Sequence, residues 1–96
     1  MKPYIKTYLK YFGYSEGDYI PCECGCGRQS VEIHHLEPKS IAKAKENLID
    51  NLCAVSRECH QRADYDRSFN DFLKHRHRKN LLSVKNGDEI VRYLPD

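Results

Sequence analysis

The residues able to do metal or acid–base chemistry are gathered in the middle of the chain. Three cysteines spaced two apart, Cys22, Cys24 and Cys26, precede a histidine pair, His34-His35, and a Cys-His step follows at Cys59-His60. A neutral imidazole, with an unperturbed pKa near 6.5, accepts a proton or a metal ion at pH 7, and its other ring nitrogen needs a partner to fix the tautomer. Thiolates suit tetrahedral zinc. Taken singly, two histidines at a strand end or one Cys-His step are ordinary features; the combination carries the information.

These groups need elements to position them. Ser30-Val-Glu-Ile33 alternates polar and apolar residues and reads as a strand running straight into His34-His35. Neighbouring strand residues point to opposite faces, so the two histidines cannot share one task. Leu52 to Val55 reads as a partner strand, and Ser56 as the N-cap of a helix carrying Cys59, His60 and Asp64. Asp64 falls four residues after His60, on the same helical face, where it can add a carboxylate to a metal shell. Before the cysteines, Pro3 to Phe12 has helical apolar spacing and stops at Gly13. Lys39 to Asp50 reads as a loop with one helical turn over Ile41 to Lys45. A further helix is expected from Asp66 or Ser68 to about His77, and Leu81 to Asp96, with its Asn86-Gly87 turn, reads as a hairpin or closing strand.

Ninety-six residues allow a single domain, 1–96, and with no Trp and three Phe the apolar core is thin enough to need help. No apolar leader segment is evident, since Lys2, Lys6 and Lys10 interrupt the N-terminus, and no run approaches a membrane span. A cytoplasmic chain with reduced thiols is therefore expected, and five cysteines, an odd number, favour metal ligation over disulfides.

The segments IPCECGCG (Ile20 to Gly27), VEIHHLEP (Val31 to Pro38) and NLCAVSRECH (Asn51 to His60) together resemble the HNH endonuclease family, over roughly residues 20–64. The resemblance implies an α+β fold: a small ββα-metal finger, a β-hairpin plus helix, flanked by an N-terminal helix (about 3–12) and a basic C-terminal extension (about 66–96). It implies that His34 and His60 bind one catalytic divalent ion, to which the helical spacing of Asp64 adds a carboxylate, and that His35 is the general base. Asn51 takes the role of orienting His35, and its register with His60 favours it over Asn47. The activity implied is hydrolysis of DNA phosphodiester bonds, most naturally in double-stranded DNA, leaving 5′-phosphate ends. The ion, Mg²⁺, Mn²⁺ or a transition metal, stabilises charge on the phosphate and the departing oxygen. The compact size resembles stand-alone phage or prophage nucleases. Alternatives are a zinc-stabilised nucleic-acid-binding module without activity and a nuclease-like fold serving protein interaction.

Many members of that family hold a structural zinc with two Cys-x-x-Cys pairs, and this sequence departs in both halves. The first pair becomes Cys22, Cys24 and Cys26, and Ser56 stands where the third ligand is expected. Zinc held by Cys22, Cys24, Cys26 and Cys59, and its loss in favour of reduced packing thiols, both remain open. Cys53 is expected to face the other side as a small core residue.

Net charge is only +2, too small to indicate nucleic acid by itself. Its placement is more telling: Arg57, Arg62 and Arg67, then Lys74, Arg76, Arg78 and Lys79, are candidate phosphate contacts. His75 and His77, within that second cluster, are expected to meet phosphate or solvent.

Overall fold

The computed structural model describes residues 1–84. The expected turn at Asn86-Gly87 lies outside them.

Two strands form the centre. Glu32–His35 (β1) pairs antiparallel with Leu52–Val55 (β2), in the register Glu32↔Val55, Ile33↔Ala54, His34↔Cys53 and His35↔Leu52. β2 is buried along its whole length because it has a core on each face. Cys53 and Val55 pack with Cys22, Leu36, Cys59, Ala63, Phe69 and Leu73, whereas Leu52 and Ala54 pack with Tyr8, Ile49 and Leu81. An unbroken apolar run, here LCAV, is the pattern a strand covered on both sides requires. Cys53 is thus a core residue as expected, but on the face of β2 against which Cys22 and Cys59 pack rather than on the other side.

Among the described residues, three helices cover the strands. Pro3–Phe12 (α1) starts with Pro at its first turn and ends at Gly13, whose φ of +75° supplies the left-handed cap. Arg57–Tyr65 (α2) is capped by Ser56, whose Oγ accepts from the Cys59 N–H. Arg67–Leu82 (α3) is capped by Asp66, whose side chain accepts from the Phe69 N–H. The order β1, β2, α2 is compatible with a ββα arrangement. α3 extends beyond the expected end near His77, because Leu73, His77 and Leu81, four residues apart, are all buried. The loop between the strands holds the expected helical turn within Ile41 to Lys45, as a 3-10 turn at Lys43–Lys45, and a second, unexpected one at Ile49–Asn51. Among the described residues no helix is long and apolar enough to cross a membrane.

His77 corrects the expectation of a solvent or phosphate contact, being 1% exposed. Its Nε2–H donates to the Ile49 carbonyl at 2.7 Å and its Nδ1–H meets Glu23 Oε1 at 2.8 Å. Glu23 also accepts from Tyr8 Oη, the Ala54 N–H and Asn80 Nδ2 at 2.8–2.9 Å. One buried carboxylate therefore ties α1, β2 and α3 to the cysteine segment. Burial alone would raise its pKa, but the hydrogen bond and charge of His77, with Asn80 and Ala54, outweigh it and hold the carboxyl below its ordinary value. A carboxyl depressed in the folded state contributes stability that is present above its unfolded pKa and lost as pH falls through the folded one. The denaturation midpoint should accordingly fall as pH is lowered below about 4.3. Glu23→Gln should remove this part of the acid dependence and cost about 1.5–3 kcal/mol at pH 7; an unchanged acid limb in that variant would refute the assignment.

Candidate metal centres and catalytic cleft

The four grouped cysteines converge. Cys22, Cys24 and Cys26 sit on a turn closed by the Cys22 N–H to Arg28 carbonyl bond, and Cys59 arrives in the first turn of α2. The turn needs Gly25 at φ +82°, where an added Cβ would also lie 2.9 Å from the Arg76 guanidinium. Sulfur–sulfur distances are 3.4 Å for Cys22–Cys24, 3.1 Å for Cys24–Cys59 and 3.8 Å for Cys59–Cys26, and all four sulfurs lie within 4.8 Å of one another. Tetrahedral zinc with bonds of about 2.3 Å separates its sulfurs by about 3.8 Å. The cage therefore has the size and donor set for a structural zinc. Ser56 does not supply a thiol, but its backbone N–H points at Cys22 Sγ at 3.2 Å and its hydroxyl caps the helix bearing Cys59. Ionisation within the cluster is uneven. Burial pushes Cys24 and Cys59 up, whereas at exposed Cys26 the Arg28 backbone N–H and neighbouring thiols overcome desolvation and bring the thiol down to about 6.

A second group forms where β1 meets α2. His34, His60 and Asp64 each offer a donor atom within 4.8 Å of the others. Asp64 Oδ1 is 4.0 Å from His34 Nδ1 and 3.9 Å from His60 Nε2. Each histidine has its other nitrogen tied to an acceptor. His34 Nε2–H donates to Asn70 Oδ1 at 2.7 Å, an orientation fixed by Asn70 Nδ2 donating to the Leu36 carbonyl. His60 Nδ1–H donates to Glu32 Oε2 at 3.0 Å. The lone pairs left over, on His34 Nδ1 and His60 Nε2, both face Asp64. Imidazole with its far nitrogen anchored in this way is the usual dress of a metal ligand. Burial lowers the His34 pKa, which keeps that lone pair available at neutral pH.

His35 points to the other face of β1, its ring edge-on to Tyr4 at 4.7 Å. Its Nε2–H donates to the Glu46 carbonyl at 2.9 Å, which assigns the proton to Nε2 and leaves Nδ1 as a base. Burial, aided by the Lys39 charge, lowers its pKa below the ordinary value. Asn51, expected to orient His35, is 3% exposed but bonds elsewhere. Its amide accepts from the Glu37 N–H and donates to the Glu37 and Lys45 carbonyls. It fixes both ends of the loop whose Glu46 carbonyl holds His35, so any orientation it provides is indirect. Asn47 is exposed.

His34, His35, His60, Asp64 and Asn70 line one open cleft of about 1090 Å³. Of the basic residues singled out, Arg67 and Lys74 are in its wall, and Arg78 joins Lys74 in an adjoining recess of about 190 Å³. Arg57 lies 3.9 Å from Glu32, and Arg62 is paired with Asp66 over the Phe69 ring. Arg76 donates to the Glu23 carbonyl, and Lys79 is exposed outside both cavities. Asn70, Glu32 and the Glu46 carbonyl were missed in the sequence. Only Glu32 left a signal there, lying two residues before His34 and hence on the same strand face.

Asn70→Ala should lower the affinity of the His34–His60–Asp64 group for Mn²⁺ by about 10- to 100-fold, with the cysteine cage untouched. Calorimetric titration of the zinc-loaded chain checks this, and unchanged affinity would show that Asn70 does not anchor a ligand.

In comparisons with family models, curated proteins and solved structures, the chain matched none.

Proposed function

We propose that this chain is a metal-dependent endonuclease of the HNH, or ββα-metal, type that hydrolyses phosphodiester bonds in DNA. The observation that carries the reading is the convergence of His34, His60 and Asp64 on one point in a cleft that His35 also lines, with one ring nitrogen of each of these three histidines held by an acceptor. His34, His60 and Asp64 would hold the catalytic ion, Mg²⁺, Mn²⁺ or a transition metal. Bound there, it would stabilise negative charge on the phosphate and the departing 3′ oxygen. His35 Nδ1 takes the proton of the attacking water, while the Glu46 carbonyl stabilises the resulting imidazolium through Nε2–H. The water oxygen forms the new bond to phosphorus as the bond to the 3′ oxygen breaks, and the departing 3′ oxygen takes a proton from solvent, leaving 5′-phosphate and 3′-hydroxyl ends. Arg67 and Lys74 have no ion-pair partner among the described residues and can meet phosphates on either side of the cut.

The test is nicking of supercoiled plasmid by the zinc-loaded chain. Added Mg²⁺, Mn²⁺ or Ni²⁺ should produce nicks, and His34→Ala should need far more metal for the same rate. Tight DNA binding without nicking under any of these metals would favour the inactive zinc-stabilised binding module instead.

A further inference from the structure

The cleft carries a group that hydrolysis does not use. Tyr65, the last residue of α2, lines it yet is 80% exposed, and neither its ring nor its hydroxyl has a partner among the described residues. Asp66 leaves α2 in an extended conformation, so Tyr65 stands at the corner between α2 and α3, one residue removed from Arg67. The cleft's other tyrosine, Tyr4, is already engaged, with His35 against its ring and Lys2 and Lys39 over it. Single exposed aromatics are common. This one borders a candidate metal-ligand group and two cleft cations, Arg67 and Lys74, that lack an ion-pair partner among the described residues.

A flat ring beside unneutralised cations is the combination that binds single-stranded nucleic acid: the cations follow the phosphates and the ring stacks on a base. In a paired duplex the base faces are covered by their neighbours, and only edges and phosphates are presented. Resting on the nuclease reading above, we propose that Tyr65 is a base-stacking platform and that the strand entering the cleft is unpaired next to the phosphate to be cut. The substrate class is then a single strand, or a duplex opened by a loop, flap or branch. Arg67 and Lys74 hold the backbone of that strand and Tyr65 holds one base, which sets where the phosphate lies over His34 and His60.

The test uses the full zinc-loaded chain carrying His35→Ala and three fluorescently labelled oligonucleotides: a single strand, a duplex with a central unpaired loop, and a fully paired duplex. Anisotropy titrations should show tighter binding of the first two. Adding Tyr65→Ala should weaken these by about 5- to 150-fold with little change for the paired duplex, and Tyr65→Phe should retain the preference. Equal affinity for all three, or a single-strand affinity indifferent to Tyr65→Ala, overturns the proposal and leaves the nuclease reading standing. Failure to bind any of the three removes both. Because Tyr65 is so exposed, Tyr65→Ala should fold normally, which circular dichroism verifies.

Discussion

If the cage of Cys22, Cys24, Cys26 and Cys59 holds the structural zinc its size and donors fit, stripping that zinc should unfold the protein. Structural zinc sites contribute about 10–16 kcal/mol of apparent binding energy at pH 7, as large as the whole stability of about 5–15 kcal/mol typical of a domain. The chain has little to set against that loss. Its core around the cage consists of Leu36, Val55, Ala63, Phe69 and Leu73 together with three of the cysteines, Cys22, Cys53 and Cys59. Without a cation, the four sulfurs within 4.8 Å of one another cannot all ionise, and burial holds Cys24 and Cys59 as thiols while Cys26 ionises near pH 6. With the ion bound, all four ligands are thiolates and their protons are released, so affinity must fall as pH falls. Elemental analysis should find one zinc per chain, and a strong chelator should abolish the cooperative thermal transition. Cys24→Ser should do so without chelator. A folded sample free of zinc with an unchanged melting temperature would refute the site and return these cysteines to simple packing.

What the sequence made legible follows a physical divide. β2 was plain because an apolar run covered on both faces has no polar positions to confuse it. The Ser56 cap and the Gly13 stop were plain because each is a local interaction between near neighbours. The convergence of His34 with His60, and of Cys22, Cys24 and Cys26 with Cys59, was legible through the combined pattern of types and spacing. The anchors of those residues were not. Asn70 reaches His34 across 36 positions, and a backbone carbonyl such as that of Glu46 has no side-chain signature at all. His77 misled for a related reason: it lies in a basic run, and only the three-dimensional approach of Glu23 turns it into a buried partner. Charge suffered likewise, since composition cannot say that Arg62 and Arg57 lie beside carboxylates while Arg67 and Lys74 have no ion-pair partner among the described residues.

In the proposed reaction, His35→Ala should lower the nicking rate by about 10²- to 10⁴-fold, the usual contribution of a positioned general base. The cost in stability should be small by comparison. His35 is only partly buried, and its removal forfeits one hydrogen bond to the Glu46 carbonyl, about 0.5–1.5 kcal/mol, and an edge-on contact with Tyr4. Metal affinity at His34, His60 and Asp64 should be retained, because His35 lies on the opposite face of β1 and supplies no donor to that group. This separates it from His34→Ala, in which added metal should partly restore the rate. The pH profile gives an independent sign. A protonated imidazole cannot accept a proton from water, so the rate must rise with pH through the His35 pKa and then level. Burial, with Lys39 adding to it, holds that pKa below the ordinary imidazole value, so the acid limb should lie at lower pH than a free imidazole would give. Substituting Lys39→Gln removes a cation that opposes protonation and should move the limb to higher pH. A His35→Ala variant that nicks at the wild-type rate, or a profile still climbing well above pH 7, would remove His35 from the reaction and with it the proposed mechanism.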